Sequence, residues 1–431
     1  MSSLTSTTGL EAVRAAVPLE RERPVEDYRI DTVAPAVALR PADRAEVASV
    51  LAAANEAGLA VVPQGARTAL RLGAPLERYD VALDMRGLDR IVAYEPEDLT
   101  MTVEAGLTLE ALRAHLAERG QELPVDTPPG DEVTVGGLLA TARPGAWRGH
   151  LPGQRDLVLG VTVAQPGGTL TTSGGRVVKN VSGYDLHRMH TGALGTLGAI
   201  VEASFKLAPR PPAVRSVAIR CTQTAQAEAI AFDLWDRTLA TRAISLLAPA
   251  AAEAAGLSSM PHVLVEFGGS EAAVSRSLRD LHDVAALGHA LAADEVDASA
   301  WARLRRLAAG DQAHDDASAG DVVLRLGVPP SEVARVIDAA SALDAAGLAA
   351  WAHLAAGAVL VRADALEVAR VLELRAIAVE AGGFLQIEAA PAALRTAVDA
   401  FGAGDLVLSS ALREQFDPRG TLNPGRWGTA S

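Results

Sequence analysis

GGRVVKNVSGYDLHRMHTGALGTLGAIVEASFKLAP, Gly174 to Pro209, is the stretch on which the reading of this chain turns. It holds Lys179 and Lys206, the only lysines in a sequence with 39 lysine and arginine residues. The two cations differ in hydration, shape and capacity to lose a proton. A lysine kept where arginine is the rule therefore makes Lys179 a candidate for chemistry, with chance clustering as the alternative, whereas Lys206 reads as a strand residue. Gly192, Gly195 and Gly198 are spaced GxxGxxG. A dinucleotide-binding βαβ unit carries GxGxxG directly after a strand, and a phosphate loop carries GxxxxGK[ST]. Neither is present, which argues against a nicotinamide or ATP fold.

Upstream lie two more glycine-bearing segments. Pro63-Gln64-Gly65-Ala66-Arg67-Thr68 follows a short apolar strand at Leu59 to Val62. Its small residues admit close backbone approach, and successive amides can form an anion-binding nest; an ordinary surface turn is the alternative. Thr134-Val135-Gly136-Gly137-Leu138 opens a short helix whose first N–H groups suit a diphosphate, although a close helix–strand crossing would use the same glycines. Before the first of these segments Val47, Val50, Leu51 and Ala54 predict a buried helix face over Pro41 to Gly58. Asp80 to Met85 and Leu99 to Ala105 read as strands, and a helix starts at Thr108 with Leu109, Leu112 and Leu116 inward. Leu157 to Ala164 and Thr169 to Thr172 read as a hairpin.

The 431 residues suggest two or three domains. Hydrophobic residues make up 49%, which describes a packed protein and not a disordered one. The net charge of −14 argues against nucleic acid or an anionic membrane as the main partner, but leaves room for a local basic pocket. Cys221 is the single cysteine, so the chain can form neither an intrachain disulfide nor an iron–sulfur cluster of its own. There is no secretory leader and no apolar run of about 18 residues, so no membrane span and a cytoplasmic location are expected. Beyond Pro211, apolar strands at Ser216–Cys221, His262–Phe267, Val322–Val328, Val359–Arg362 and Phe384–Glu388 interleave with helices such as Ser331–Ala345. That pattern predicts an antiparallel sheet covered by helices.

Five segments then stand in one order between Pro63 and Ile200: PQGART, TVGGLLA, GQRDLVLGVTV, KNVSGYDL and GALGTLGAI. Together they resemble the PCMH-type FAD-binding domain of the vanillyl-alcohol-oxidase superfamily. YEPEDLTMTVEAGLTLEAL, RDLVLGV and GGRVVKNVSGYDLHRM are most similar to the FAD-binding E-type subunits of bacterial glycolate oxidases, and FDPRGTLNPGR, Phe416 to Arg426, matches their ending. The resemblance implies an α+β chain. A two-subdomain FAD-binding domain would span 1–210, an α/β cap with a mainly antiparallel sheet covered by helices 211–408, and a C-terminal segment returning to the FAD domain 409–431.

It also implies that the FAD pyrophosphate lies against Gln64, Gly65, Ala66, Arg67 and Thr68 and against Thr134, Gly136 and Gly137. Arg148, Gly149, Lys179, Asn180, Gly183 and Tyr184 would border the cofactor, and Ile200 would hold the adenine side through its backbone. Ala66, Ala69 and Ala193 depart from the residues usual at those points. The first loop has no histidine and Cys221 is remote, so FAD is expected to be non-covalent. The implied activity is oxidation of a small 2-hydroxy acid such as glycolate, with flavoprotein and iron–sulfur partner subunits to take the electrons. A non-catalytic, FAD-carrying subunit that supports a paralogous catalytic subunit is the alternative. Lys179, Tyr184 and Arg148 are the candidates for chemistry, but no catalytic residue is assigned. No metal site is expected: Trp351-Ala-His353-Leu-Ala-Ala-Gly357 offers one histidine without an adjacent acid, and His187 and His190 read as a polar helix face.

Overall fold

The computed structural model describes residues 2–128, 130, 132–176, 184–310, 320–402 and 406–428. Three main sheets organise them, with a fourth, two-stranded one pairing Gln121–Glu122 with Ala208–Pro209. The first has four strands in the order Glu22–Arg23, Val37–Leu39, Val81–Asp84, Val61–Gln64, and its last two pairings are parallel. The helix Arg44–Ala57 crosses from Val37–Leu39 to Val61–Gln64, and Val81–Asp84 then inserts between those two strands, parallel to both. The Asp43 side chain accepts from the amides of Ala45 and Glu46, and Gly58 ends the helix at φ 68°, a left-handed turn that glycine takes without strain. Val47, Val50, Leu51 and Ala54 are buried against Val37, Leu39, Val61, Val81 and Leu83, so the spacing read from sequence is the packed face. Full burial of each larger side chain contributes about 1.5–3 kcal/mol.

The second sheet is antiparallel and runs Ile91–Glu95, Thr100–Glu104, Ala199–Lys206, Val158–Ala164, Leu170–Gly174. The helices Leu109–Ala117 and Val135–Thr141 pack on it through Leu109, Leu112, Leu116, Leu138 and Leu139. The third sheet has eight strands, all paired antiparallel, in the order Ala292–Val296, Ala213–Arg220, His262–Gly269, Thr241–Leu247, Ala349–His353, Ala358–Ala363, Val322–Gly327, Phe384–Ala389. Each half of it is a β-α-β-β-α-β unit, with helices Thr224–Asp236 and Glu271–Leu287 in one and Val333–Ser341 and Val368–Glu380 in the other. These helices cover one face and share its apolar core. Three of the eight strands, Thr241–Leu247, Ala292–Val296 and Ala349–His353, have no counterpart among the strands read from sequence.

The other face of the large sheet carries a second apolar cluster with the helices Pro249–Ala254 and Ser299–Ala309, and polar contacts tie this part of the chain to the segments around the first two sheets. Trp147 Nε1 donates to Glu266 at 2.9 Å, with the Arg242 guanidinium 4.1 Å from the Trp147 ring centre. Arg242 also pairs with Glu122 at 2.9 Å, and Arg395 with Asp31 at 2.5 Å. After the helix Leu406–Phe416 the chain joins the edge of the first sheet: Val61 N donates to Thr421 O at 2.7 Å and Asn423 N to Val61 O at 3.0 Å. The Asp417 carboxylate holds that turn by accepting from the Thr421 and Leu422 amides at 2.9 and 2.6 Å. This return carries Asn423 and Arg426 to the end of the Val61–Gln64 strand.

Candidate functional site

The Val61–Gln64 strand ends beside the N-terminus of the helix Val135–Thr141, and a cleft of about 710 Å³ opens there. Gln64, Gly65, Ala66, Arg67 and Thr68 form one wall; Thr134, Gly137, Thr141 and Arg143 form the other. Leu194, Asn423 and Arg426 close it. A narrower extension of about 450 Å³ shares Gln64, Gly65, Thr134 and Gly137 and reaches Gly136, Gly195 and Ile200.

The two walls touch at Gly65. A Cβ there would stand 2.0 Å from Thr134 Oγ1 and 3.0 Å from Thr134 Cβ. Thr134 is itself fixed, because its hydroxyl accepts from the Gly137 amide at 3.2 Å. The helix start differs from the sequence-based expectation of free N–H groups. Val135 N donates to Leu107 O at 2.8 Å and Gly136 N to Ala105 O at 2.7 Å. With Gly137 N on Thr134, the amides are already used, and Gly136 serves the close crossing: a Cβ there would lie 3.1 Å from Ala105 Cβ. In the facing loop, by contrast, the Ala66 and Thr68 amides donate to no acceptor among the described residues. Arg67 sits at φ 64° with its guanidinium on the carbonyl oxygens of Asp27 and Arg29, so it braces the loop.

Charge at the cleft comes from residues that sequence reasoning did not single out. Arg426 is buried and contacts the carbonyl oxygens of Leu72 and Ala74 at 3.4 and 3.3 Å. Burial, reinforced by nearby Arg395, pushes its pKa down to about 10. A buried guanidinium held by carbonyls suits an anionic ligand. Arg143, 3% exposed, donates to Glu388 Oε2 at 2.7 Å, and Arg325 donates to Glu388 Oε1 at 2.7 Å. Burial would raise the Glu388 pKa, but the two guanidinium groups outweigh it and hold the carboxyl below its usual range.

Arg325 lines a second, wider cleft of about 1220 Å³ with Arg148, Arg155, Thr191 and Phe384, and among the described residues no carboxylate lines it. The segment 141–144 separates the two clefts, Thr141 and Arg143 facing the first and Ala142 and Pro144 the second.

Ile200 thus lines the extension of the first cleft, together with Gly136, while Arg148 lines the second. Gly149, at φ 95°, packs on Ala355 of the large-sheet region, where a Cβ would lie 2.7 Å from the Ala355 Cβ. Tyr184 is 89% exposed and is not brought to either cleft. Lys179, Asn180 and Gly183 lie outside the described residues. His187 and His190 are buried and line neither cleft; burial pushes His190 down to about 4. His353 is buried with Nδ1 2.8 Å from Ser245 Oγ, and burial holds it near 4 as well. Among the described residues no cluster of three histidine, cysteine or acidic side chains could hold a metal ion.

Residues 35–174 match the family described as FAD binding domain. The chain carries an FAD-binding domain. Over 158 residues it is 39% identical to the glycolate oxidase subunit GlcE of Escherichia coli, covering 36% of this chain and 45% of that protein. Over 177 residues it is 36% identical to a D-2-hydroxyglutarate dehydrogenase of Xanthomonas citri, covering 41% of this chain and 37% of that protein. The matches therefore span less than half the length of these relatives. The whole fold superposes on p-cresol methylhydroxylase with a TM-score of 0.72 at 16% identity, covering 99% of this chain and 97% of that one.

The cleft fits the dinucleotide on its own chemistry. Gly65 lets its two walls meet where a methyl group would strike Thr134, the Ala66 and Thr68 amides donate to no acceptor among the described residues, and Arg426 offers a buried counter-charge. Gln64 Oε1 is buried there without a hydrogen-bond partner. Among the described residues none that lines the cleft is histidine or cysteine, and Cys221 lies in the core of the large sheet.

Proposed function

We propose that this chain is an FAD-dependent oxidoreductase acting on a small 2-hydroxy acid such as glycolate, as one subunit of a complex. The observation that carries this reading is the pair of clefts divided by residues 141–144, one fitted to a dinucleotide and the other lined by arginines in a protein of net charge −14. Arg155 would attract a carboxylate substrate, with Arg148 and Arg325 beside it although each already has a carboxylate partner, Asp156 and Glu388. Gln64 to Thr68, Thr134, Gly136, Gly137, Ile200, Asn423 and Arg426 would hold FAD non-covalently, with Lys179, Asn180 and Gly183 bordering it. Bound FAD would supply the acceptor for a hydride from the hydroxyl-bearing carbon. The division into 1–210, 211–408 and 409–431 belongs to the same reading, with the first and last parts carrying the cofactor and the middle part the substrate face. With one cysteine in the chain, electrons would leave through flavoprotein and iron–sulfur partners or a soluble acceptor.

A second reading is a flavin-carrying subunit that supports a catalytic paralogue. It is favoured by the lack of an available base among the described residues: His353 is buried on Ser245, Glu388 is held between two arginines, and Tyr184 lines neither cleft. The FAD-loaded chain is mixed anaerobically with glycolate or D-lactate while flavin absorbance is followed. Bleaching by the chain alone supports the enzyme and excludes the supporting subunit. Bleaching only after the partner is added excludes a self-sufficient enzyme, and no bleaching in either case overturns the 2-hydroxy-acid assignment.

A further inference from the structure

Gln64 is 2% exposed, ends its strand, and lines both the cleft and its extension. Its Nε2 lies 2.5 Å from the Tyr79 hydroxyl, and that hydroxyl lies 2.7 Å from the carbonyl oxygen of Tyr28. A phenol has one proton to give, and a carbonyl oxygen can only accept. The Tyr79 proton therefore goes to Tyr28, and the Tyr79 oxygen must take its other bond from a donor. That requirement orients the Gln64 amide with its nitrogen toward Tyr79. It leaves Oε1 buried and without a partner. Burial raises the Tyr79 pKa above the ordinary tyrosine range, so the proton stays in place across neutral pH.

We propose that Gln64 Oε1 accepts a hydrogen bond from a hydroxyl or N–H group of the bound dinucleotide, and that Tyr79 is the positioning residue that turns the amide this way. The inference rests on the FAD reading and deepens it. The sugar and ribityl hydroxyls, the adenine amino group and the flavin N–H of FAD can donate, whereas its phosphate oxygens cannot. Gln64 therefore disfavours a phosphate at its own position. The amides of Ala66 and Thr68, further along the loop, are the groups left to meet one.

The test titrates FAD into flavin-free full-length protein and follows flavin fluorescence, for the parent, Gln64→Met, Tyr79→Phe and the double variant. Loss of one neutral hydrogen bond predicts a Kd raised about 3- to 10-fold in each single variant. The double variant should bind no more weakly than Gln64→Met, because Tyr79 acts through Gln64. Circular dichroism and urea midpoints of the flavin-free variants report folding separately. Parental affinity in Gln64→Met, or losses that multiply in the double variant, overturns the inference. Should Gln64→Met not fold, Tyr79→Phe decides alone, and an unchanged Kd there overturns it. A folded parent that takes up no FAD overturns the cofactor reading instead.

Discussion

Glu388→Gln tests the contact that joins the cofactor cleft to the arginine-lined one. In the parent, one buried carboxylate takes Arg143 on one oxygen and Arg325 on the other, each at 2.7 Å. Glutamine keeps the shape and removes the charge, leaving two guanidinium groups facing a neutral amide. Arg143 and Glu388 are 3% and 2% exposed, so solvent screens the pair little. Breaking a buried pair by removing one partner costs about 3–5 kcal/mol. The pH dependence follows from the direction of the shift. The folded-state pKa is depressed, so the contribution is fully present above the ordinary glutamate range and is lost as pH falls through the folded value. Urea unfolding followed by tryptophan fluorescence should therefore show Glu388→Gln less stable by that amount at pH 7. The gap should close as the pH is lowered and the parent's own Glu388 becomes neutral. Equal stability at pH 7, or a gap that stays constant into acid, would refute the reasoning.

Three other outcomes follow from the same geometry. Gly65→Ala forces a methyl group within 2.0 Å of Thr134 Oγ1 and should cost about 1–3 kcal/mol of stability, read as a lower melting temperature, together with weaker flavin uptake. Arg426→Met should raise the Kd for FAD at least about tenfold, because a charged hydrogen-bond donor is lost from the cleft; an unchanged Kd would remove Arg426 from the site. The Cys221 thiol, buried and pushed up to about 11, should resist a thiol reagent at pH 8 until urea unfolds the chain, and fast labelling of the native protein would contradict the packing.

Local signals carried the elements whose chemistry is local. Asp43, Gly58 and the apolar face between them specify the helix Arg44–Ala57 almost residue by residue, and Thr134 marks the start of the Val135–Thr141 helix. Long-range pairing hid the rest. The amides of Val135 and Gly136 are consumed by carbonyls of Leu107 and Ala105, which lie about thirty residues upstream, so nothing in the Thr-Val-Gly-Gly sequence reveals that they are used. Thr241–Leu247 and Ala349–His353 are almost entirely buried, so neither shows the polar–apolar alternation that marks a half-exposed strand. Arg426 sits in a segment recognised as a family-like ending, but its place in the cleft depends on residues 421–423 joining the edge beside Val61. Arg143 stood in plain sight before Pro144, and its partner Glu388 is 245 residues away.

The central claim is that the cleft between Gln64–Thr68 and Thr134–Gly137 holds FAD without a covalent bond. Acid precipitation of the purified, FAD-loaded chain, with the supernatant identified by mass spectrometry, tests it directly. The account predicts about one FAD released per chain and a protein pellet of unmodified mass, with less FAD carried and released by Arg426→Met. Flavin retained on the precipitated polypeptide, or a folded chain that yields no FAD after loading, would contradict it.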